Sequence, residues 1–318
     1  MSAIPAASIA ALDGTLGSIE IGGIVGTFLF GIITLQVHNY YRTYPADSIP
    51  LKLLVAVIWF LELGHTISTW HAIFTLSITF YGQPDHISDP PHSLQMTLMF
   101  SAPIYAVVQV FFANRVRIVS GHCNIMLLCC FLSLLRFACS MGMLVVTLQH
   151  GLAILQIKYR WLMAAGLSLG ATVDVIIAVS MCCCLWQLRR SMFQRSRRMA
   201  DMIMAWSIET GCATSGTSLI QLFLFLTRSD LVWFPFFLVT ARLFSNSLLV
   251  SLNSRHTLRS LNQDEPFLDV GTLRRSGMTA SAALRTSSVK RPLNIAMSVA
   301  IQTDGDRDYD SSFLHSID

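Results

Sequence analysis

An all-helical membrane bundle of seven spans, with the N-terminus outside and the C-terminus in the cytoplasm, is the fold this sequence predicts, on three observations. Hydrophobic residues fill 53% of the 318 positions and charged residues only 13%, where an average soluble domain carries about 25% charged residues. The apolar residues gather into seven long stretches. Each reaches about 20 residues, the length at which a helix rising about 1.5 Å per residue crosses a hydrocarbon core about 30 Å thick. Lys and Arg fall unevenly between alternate connections, which orients the bundle.

The first stretch runs from Ile19 to Tyr41. Residues 1–18 lack the basic segment of a cleaved signal peptide, so this helix is expected to be its own insertion signal behind a short extracellular N-terminus. Tyr44-Pro45-Ala46-Asp47 is turn chemistry and leads into the second stretch, Leu51 to Phe80, which Gly82-Gln83-Pro84-Asp85 closes. The third runs from Leu94 to Asn114, the fourth from Asn124 to Gln149, the fifth from Trp161 to Leu188, the sixth from Met199 to Thr227 and the seventh from Trp233 to Asn253. The second, fifth and sixth exceed the minimum and are expected to tilt or project beyond the bilayer. Trp161 and Trp233 read as interfacial anchors. The transmembrane domain is thus expected over 19–255.

Seventeen Lys and Arg lie on one side: Arg42 and Lys52, Arg115 and Arg117, the cluster Arg189, Arg190, Arg195, Arg197 and Arg198, and eight more in the tail. The other side holds three, Lys158, Arg160 and Arg228. Basic connections stay in the cytoplasm, which fixes the orientation. The net charge of +4 follows this topology rather than a nucleic-acid surface, and no nucleic-acid partner is expected. From about Ser254 the composition turns to Ser, Thr, Arg and acids, and residues 256–318 are expected to form a disordered cytoplasmic tail. Arg274-Arg275-Ser276 and Arg285-Thr286-Ser287-Ser288 set Ser276, Ser287 and Ser288 behind arginines, as basic-directed kinases prefer. Phosphate there would cancel local positive charge at an anionic leaflet. A plain solvated tail is the alternative.

Five ionisable residues lie within the spans: Glu62, Arg136, Asp174, Glu209 and Arg242. Each costs about 2.5 kcal/mol or more at mid-bilayer and must find a partner or face water. Glu62, Arg136, Asp174 and Arg242 sit near mid-helix, while Glu209 lies more than a turn toward the cytoplasm. Three acids against two arginines leave one positive charge missing, which His65, a turn from Glu62, supplies when protonated. Gly166, Gly170, Asp174, Ala178 and Cys182 repeat every fourth residue as a small-residue face. Ala205, Glu209, Ala213, Thr217 and Gln221 do likewise; Arg242, Ser245, Asn246 and Asn253 share a broad face, as do Ser101, Tyr105 and Gln109. The faces are expected to converge, either as a network that only fixes packing or as a ligand or ion site lined by Glu62, His65, Arg136, Asp174, Glu209, Arg242 and Asn246.

All eight cysteines lie in or beside apolar stretches, so no disulfide framework is read. Cys182-Cys183-Cys184 beside Arg189 and Arg190 suits either S-palmitoylation or small apolar packing. Asp85, His86, Asp89 and His92 share a Pro-rich loop that reads as a rigid turn; no metal and no cofactor is expected. Neither a phosphate loop, nor His-Glu-x-x-His, nor Gly-x-Ser-x-Gly occurs, and no enzyme activity is expected. The only lysines are Lys52, Lys158 and Lys290, which argues against a Schiff-base retinal protein. Asn114-Arg115-Val116 and Asn246-Ser247-Leu248-Leu249 stand where the commonest G-protein-coupled receptors carry Asp-Arg-Tyr and Asn-Pro-x-x-Tyr.

Ala171-Thr172-Val173-Asp174-Val175-Ile176-Ile177-Ala178, the Arg-rich loop, Ser207-Ile208-Glu209-Thr210-Gly211 and Ser245 to Arg255 resemble a large family of uncharacterised seven-helix membrane proteins of basidiomycete fungi, defined by a domain of unknown function. The resemblance covers about 165–259, and extends loosely through Gly22-Gly23 and Tyr40-Tyr41. It implies fold and topology and points to Asp174, Glu209, Gly211, Asn246 and Asn253. The function expected is that of an orphan receptor-like sensor in the plasma membrane. A network around Asp174, Arg242 and Arg136 would couple a small ligand outside to Arg189, Arg190, Arg195, Arg197 and Arg198 and a cytoplasmic signalling protein. A small-solute or proton-coupled transporter is the alternative, although the first and last three helices show no convincing repeat.

Overall fold

The computed structural model describes residues 16–81, 91–191, 194–228 and 231–255. Its regular structure is helical throughout. Seven long helices follow in order: α1 (Ser18–Thr43), α2 (Ile49–Phe74), α3 (His92–Ser120), α4 (Cys123–Ile157), α5 (Arg160–Ser191), α6 (Gln194–Thr227) and α7 (Phe234–Asn253). A π turn, Thr75–Thr79, extends α2, and a 3₁₀ turn, Leu231–Trp233, leads into α7. The tail 256–318, with Ser276, Ser287 and Ser288, lies outside the described residues, as do Asp85, His86 and Asp89.

Helix ends fall where the sequence supplies the chemistry to end them. Pro50 and Pro235 sit in the first turns of α2 and α7, where a backbone N–H has no intrahelical partner to lose. Gly121 follows α3 at φ 72°, its N–H donating to the Arg117 carbonyl at 2.9 Å, a left-handed cap that glycine adopts without Cβ strain. Gly151 stands inside α4 at φ 81° and ψ 167°, a region open essentially to glycine alone. It breaks the helix two residues past Gln149, where the sequence ends the fourth span. Gly151→Ala is therefore expected to destabilise by about 1–2 kcal/mol, measured as a lowered thermal midpoint of the purified protein; an unchanged midpoint would show that the bend relaxes freely.

Each helix packs on its neighbour in the chain and α7 closes onto α1, as short connections between antiparallel helices require. α3 runs through the middle, touching α5 and α7 as well as α2 and α4. The ring is sealed at its arginine-rich end by the α1–α2 turn. Arg255 pairs with Asp47 and lies 4.5 Å from the Tyr44 ring centroid; the Tyr40 hydroxyl donates to Asp47 at 2.8 Å. The Tyr44 hydroxyl donates to the Asn253 carbonyl at 2.9 Å, and Asn253 Nδ2 to the Gln36 carbonyl at 3.0 Å. The separated residues Tyr40, Asn253 and Arg255 are thus one contact cluster at the seam of α1 and α7.

Polarity runs from inside to outside in reverse of a soluble protein. Phe28 and Leu35 are 69% and 71% exposed, whereas Glu62, His65 and Arg242 are at most 1% exposed. Water would penalise both halves of that pattern, and hydrocarbon favours it. Among the described residues six helices, α1 to α5 and α7, are long and apolar enough to cross a membrane, which makes this a multi-pass membrane protein. The sequence predicts seven such spans; α6 forms as a helix, but Thr210, Thr214, Thr217, Ser218 and Gln221 lower its apolar content, and it is not among the six.

Candidate functional site

The polar residues of the bundle interior form two clusters divided by aromatic rings. The first joins α2 to α7. Arg242 donates through Nη1 to the Leu238 carbonyl at 2.7 Å and to His65 Nδ1 at 2.8 Å, and through Nη2 to Thr66 Oγ1 at 3.3 Å. Ser245 Oγ donates to Glu62 Oε1 at 2.6 Å, and Asn246 Nδ2 to the carbonyls of Arg242 at 2.9 Å and Leu29 at 3.4 Å. Helix spacing explains the set: Arg242, Ser245 and Asn246 lie three and four apart on one face, as do Glu62, His65 and Thr66 on the facing helix. Gly26 of α1 makes the room, since a Cβ there would stand 2.9 Å from Arg242 Cζ.

Guanidinium carries donors only, so His65 Nδ1 accepts and the ring proton sits on Nε2. In this arrangement His65 is neutral, and the additional positive charge that the sequence reading gives it on protonation is not part of the cluster. Glu62 Oε2, His65 Nε2, Arg242 Nε and Asn246 Oδ1 are buried without a protein partner.

The second cluster joins α3, α4 and α5. Gln109 Nε2 donates to Asp174 Oδ1 at 3.0 Å. The Arg136 guanidinium lies 4.1 Å from the Tyr105 ring centroid and 5.5 Å from that of Phe244, seated against Gly170, where a Cβ would come within 2.6 Å of Arg136 Cζ. Arg136 and Asp174 are each 6% exposed, yet Arg136 Nη1, Asp174 Oδ2 and Gln109 Oε1 have no protein partner. Tyr105 and Phe244 pack edge to face with centroids 5.2 Å apart, and Tyr105 Oη donates to the Phe237 carbonyl at 3.5 Å. These rings stand between Arg242 and Arg136. The hydrogen bonds around Asp174, Arg242 and Arg136 thus fall into two sets, with Tyr105 within electrostatic reach of the charges of both.

A cavity lies on each side of the second cluster. One, of about 760 Å³ including its mouth, occupies the half of the bundle where α3, α5 and α7 begin and is lined by Arg136, Tyr105, Gln95, Gln221, Trp233 and Phe237 among others. The other, of about 480 Å³ including its mouth, lies toward the arginine-rich end and is lined by Asp174, Gln109, Phe112, Thr214, Phe244 and Ser247 among others. Arg136 thus faces the first cavity and Asp174 the second. The mouth of a pocket between helices is a common place for small ligands.

Glu209 belongs to neither cluster and is exposed. The inward side of α6 is instead Gly211, Thr214, Ser218 and Gln221, with Ala178 of α5 so close that a Cβ on Gly211 would stand 2.8 Å from its Cβ. Arg189 and Arg190 end α5 and Arg195, Arg197 and Arg198 begin α6. Trp161 is 65% exposed, as an anchor would be, but Trp233 is 4% exposed. Its 3₁₀ turn brings the indole inward against Phe225, centroids 5.7 Å apart, so it walls the first cavity. Gln109, Gln221 and Trp233 are the site residues that the sequence leaves in supporting roles; the available signal is that Gln109 lies one turn from Tyr105, and Gln221 one turn from Thr217, on their own helices.

The fold and this paired-cavity interior define a multi-pass membrane protein with charged groups held at its centre. Residues 170–257, less than a third of the chain, match a family of unknown function, DUF6534. The match begins at the glycine beneath Arg136 and ends past the Arg255 contact. No curated protein and no solved structure matches the chain.

Proposed function

We propose that the chain is a seven-span receptor-like sensor of the plasma membrane, N-terminus outside and C-terminus cytoplasmic, that takes a small ligand in the cavity above Arg136. The observation that carries this reading is that cavity, which lies in the half of the bundle away from the basic connections and has Arg136 as its polar floor. Under the positive-inside rule this half faces outward, and the resemblance of 165–259 to basidiomycete seven-helix proteins supports the same span count. α6, although rich in hydroxyls, completes the ring between α5 and α7, and its threonines donate to their own helix carbonyls, Thr214 Oγ1 to Thr210 at 3.1 Å and Thr217 Oγ1 to Ala213 at 3.0 Å. Such internal bonding lets a polar helix enter a bilayer. Ligand contact with Arg136 and Tyr105 would shift the Phe244 ring of α7 and the Asp174 side of α5, and α5 leads to Arg189 and Arg190 at the cytoplasmic face.

The second cavity, stacked beyond the charged layer, favours a second reading as a small-solute or proton-coupled transporter. Flux in proteoliposomes separates the two. The sensor is expected to pass no protons above empty liposomes, and cells with Asp174→Asn at normal surface level are expected to lose the transcriptional responses that the wild type restores to a deletion strain. Proton flux sensitive to Asp174→Asn, or full responses in the variant, would overturn the sensor reading.

A further inference from the structure

We propose that the cavity above Arg136 binds an apolar monocarboxylate, a single-chain amphiphile of the fatty-acid class, with its carboxylate on Arg136 and its chain along Trp233, Phe234 and Phe237. This deepens the sensor reading and rests on it only for the consequence of binding. The sign of the ligand follows from what the cavity leaves unpaired. Arg136 Nη1 and Gln221 Nε2 are buried without a protein partner, on side chains 6% and 2% exposed, and both atoms are donors. The amide and hydroxyl groups of Gln95, Ser140 and Thr147 in the wall are already engaged. Gln95 Nε2 donates to the Thr147 carbonyl at 3.1 Å, Ser140 Oγ to the Arg136 carbonyl at 3.1 Å and Thr147 Oγ1 to the Met143 carbonyl at 2.9 Å.

The nearest acid does not neutralise Arg136 directly. Asp174 Oδ1 accepts from Gln109 and Oδ2 has no protein partner; Arg136 acts on this carboxyl only through space, with no hydrogen bond between them. The rings of Tyr105 and Phe244 beside the guanidinium stabilise a cation through their faces, but a buried charge is fully compensated only by an opposite charge with hydrogen bonds. A carboxylate supplies both, as a charge-assisted acceptor. A cation with a free Nη1 donor and no directly bonded acid calls for a monoanion.

The rest of the lining excludes most other soluble ligands. Leu98, Leu155, Met163, Trp233, Phe234 and Phe237 form an apolar wall, and a sugar or amino acid would leave its remaining polar groups unpaired against it.

The test is titration calorimetry on the full protein in phosphatidylcholine nanodiscs, with empty discs subtracted for partitioning into lipid. Decanoate is the probe, and 1-decanol and decylamine have the same chain with neutral and positive heads. Decanoate is expected to saturate one site at least about tenfold more tightly than decanol, a difference of about 1.4 kcal/mol, with no site for decylamine. Gln221→Leu, a change of similar volume away from the charged layer, is expected to weaken decanoate severalfold. Arg136→Lys should keep the preference for the carboxylate and Arg136→Gln should lose it. Equal binding of the three probes, or a carboxylate preference that survives Arg136→Gln, would overturn the proposal. Decanoate binding together with proton flux would leave this inference standing and remove the sensor reading; lost responses in Asp174→Asn without carboxylate preference would do the reverse.

Discussion

Arg242→Leu is expected to cost about 3–5 kcal/mol of stability, the penalty for removing one partner of a buried charge pair and leaving the other uncompensated. Arg242 is 1% exposed and Glu62 is fully buried. The two share no direct ion pair, but Arg242 is the cation that acts on Glu62, whose hydrogen bond comes from Ser245. Leucine would also strip the donors from His65 Nδ1 and Thr66 Oγ1, and would leave a gap beside Gly26 where the guanidinium now packs. Thermal unfolding of the purified protein in nanodiscs, followed by loss of helical circular dichroism, measures the effect. Glu62→Gln added to Arg242→Leu separates charge from packing, because the amide oxygen still accepts from Ser245 while the uncompensated charge is gone. The double variant is expected to recover at least about 1 kcal/mol relative to Arg242→Leu alone. A loss below about 1 kcal/mol in the single variant, or no recovery in the double, would mean that shape rather than charge holds α2 to α7.

What the sequence revealed of this interior, and what it hid, follows from helix geometry. Depth is legible: a residue's distance along its span is a count, so the amino-acid order alone marks Glu62, Arg136, Asp174 and Arg242 as mid-helix charges. Direction around the helix is less so. A helix turns about 100° per residue, so a stripe of every fourth residue drifts by about 40° at each step. From Glu209 to Gln221 the drift reaches about 120°, which is why Glu209 is exposed and Gln221 buried although both lie on one apparent stripe of α6. Over the two steps from Gly166 to Asp174 the drift is about 80°, still within one broad face, and that face of α5 does lie inward: Gly166 lines the first cavity, Gly170 seats Arg136 and Asp174 is buried. Ring order is not written in any one span. That Tyr105 of α3 and Phe244 of α7 would meet between Arg136 and Arg242 depends on α3 crossing the middle of the ring, and the division of the polar residues into two clusters depends on that crossing. Trp233 was hidden for a related reason, since an indole at a span end reads alike whether its turn points it to lipid or to the core.

Gly22→Ala and Gly31→Ala, one substitution made at two places on α1, are expected to have opposite effects. A Cβ on Gly22 would lie 2.7 Å from Pro235 Cα and 3.1 Å from Pro235 Cβ. A backbone atom held in a proline ring cannot move aside as a side-chain tip can, so α1 must shift away from α7. Overpacking of this kind costs about 1–3 kcal/mol, more than the gain of about 1 kcal/mol from replacing glycine within a helix. Gly31 is exposed and has nothing within 4 Å of its would-be Cβ, so there the helix gain stands alone and the midpoint should hold or rise. Thermal midpoints of the two variants in the same nanodiscs decide it, and Gly22→Leu should exceed the loss seen with alanine. Equal midpoints for Gly22→Ala and Gly31→Ala would mean that α1 is not pressed onto α7. The close approach also reaches the cavity, because Pro235 lies in the first turn of α7 between Phe234 and Phe237 of its apolar wall. Small residues permit such backbone contact where lipid supplies no hydrophobic drive between helices. A shift at Gly22 is therefore expected to weaken decanoate as well as the fold, whereas Gly31→Ala should leave both intact.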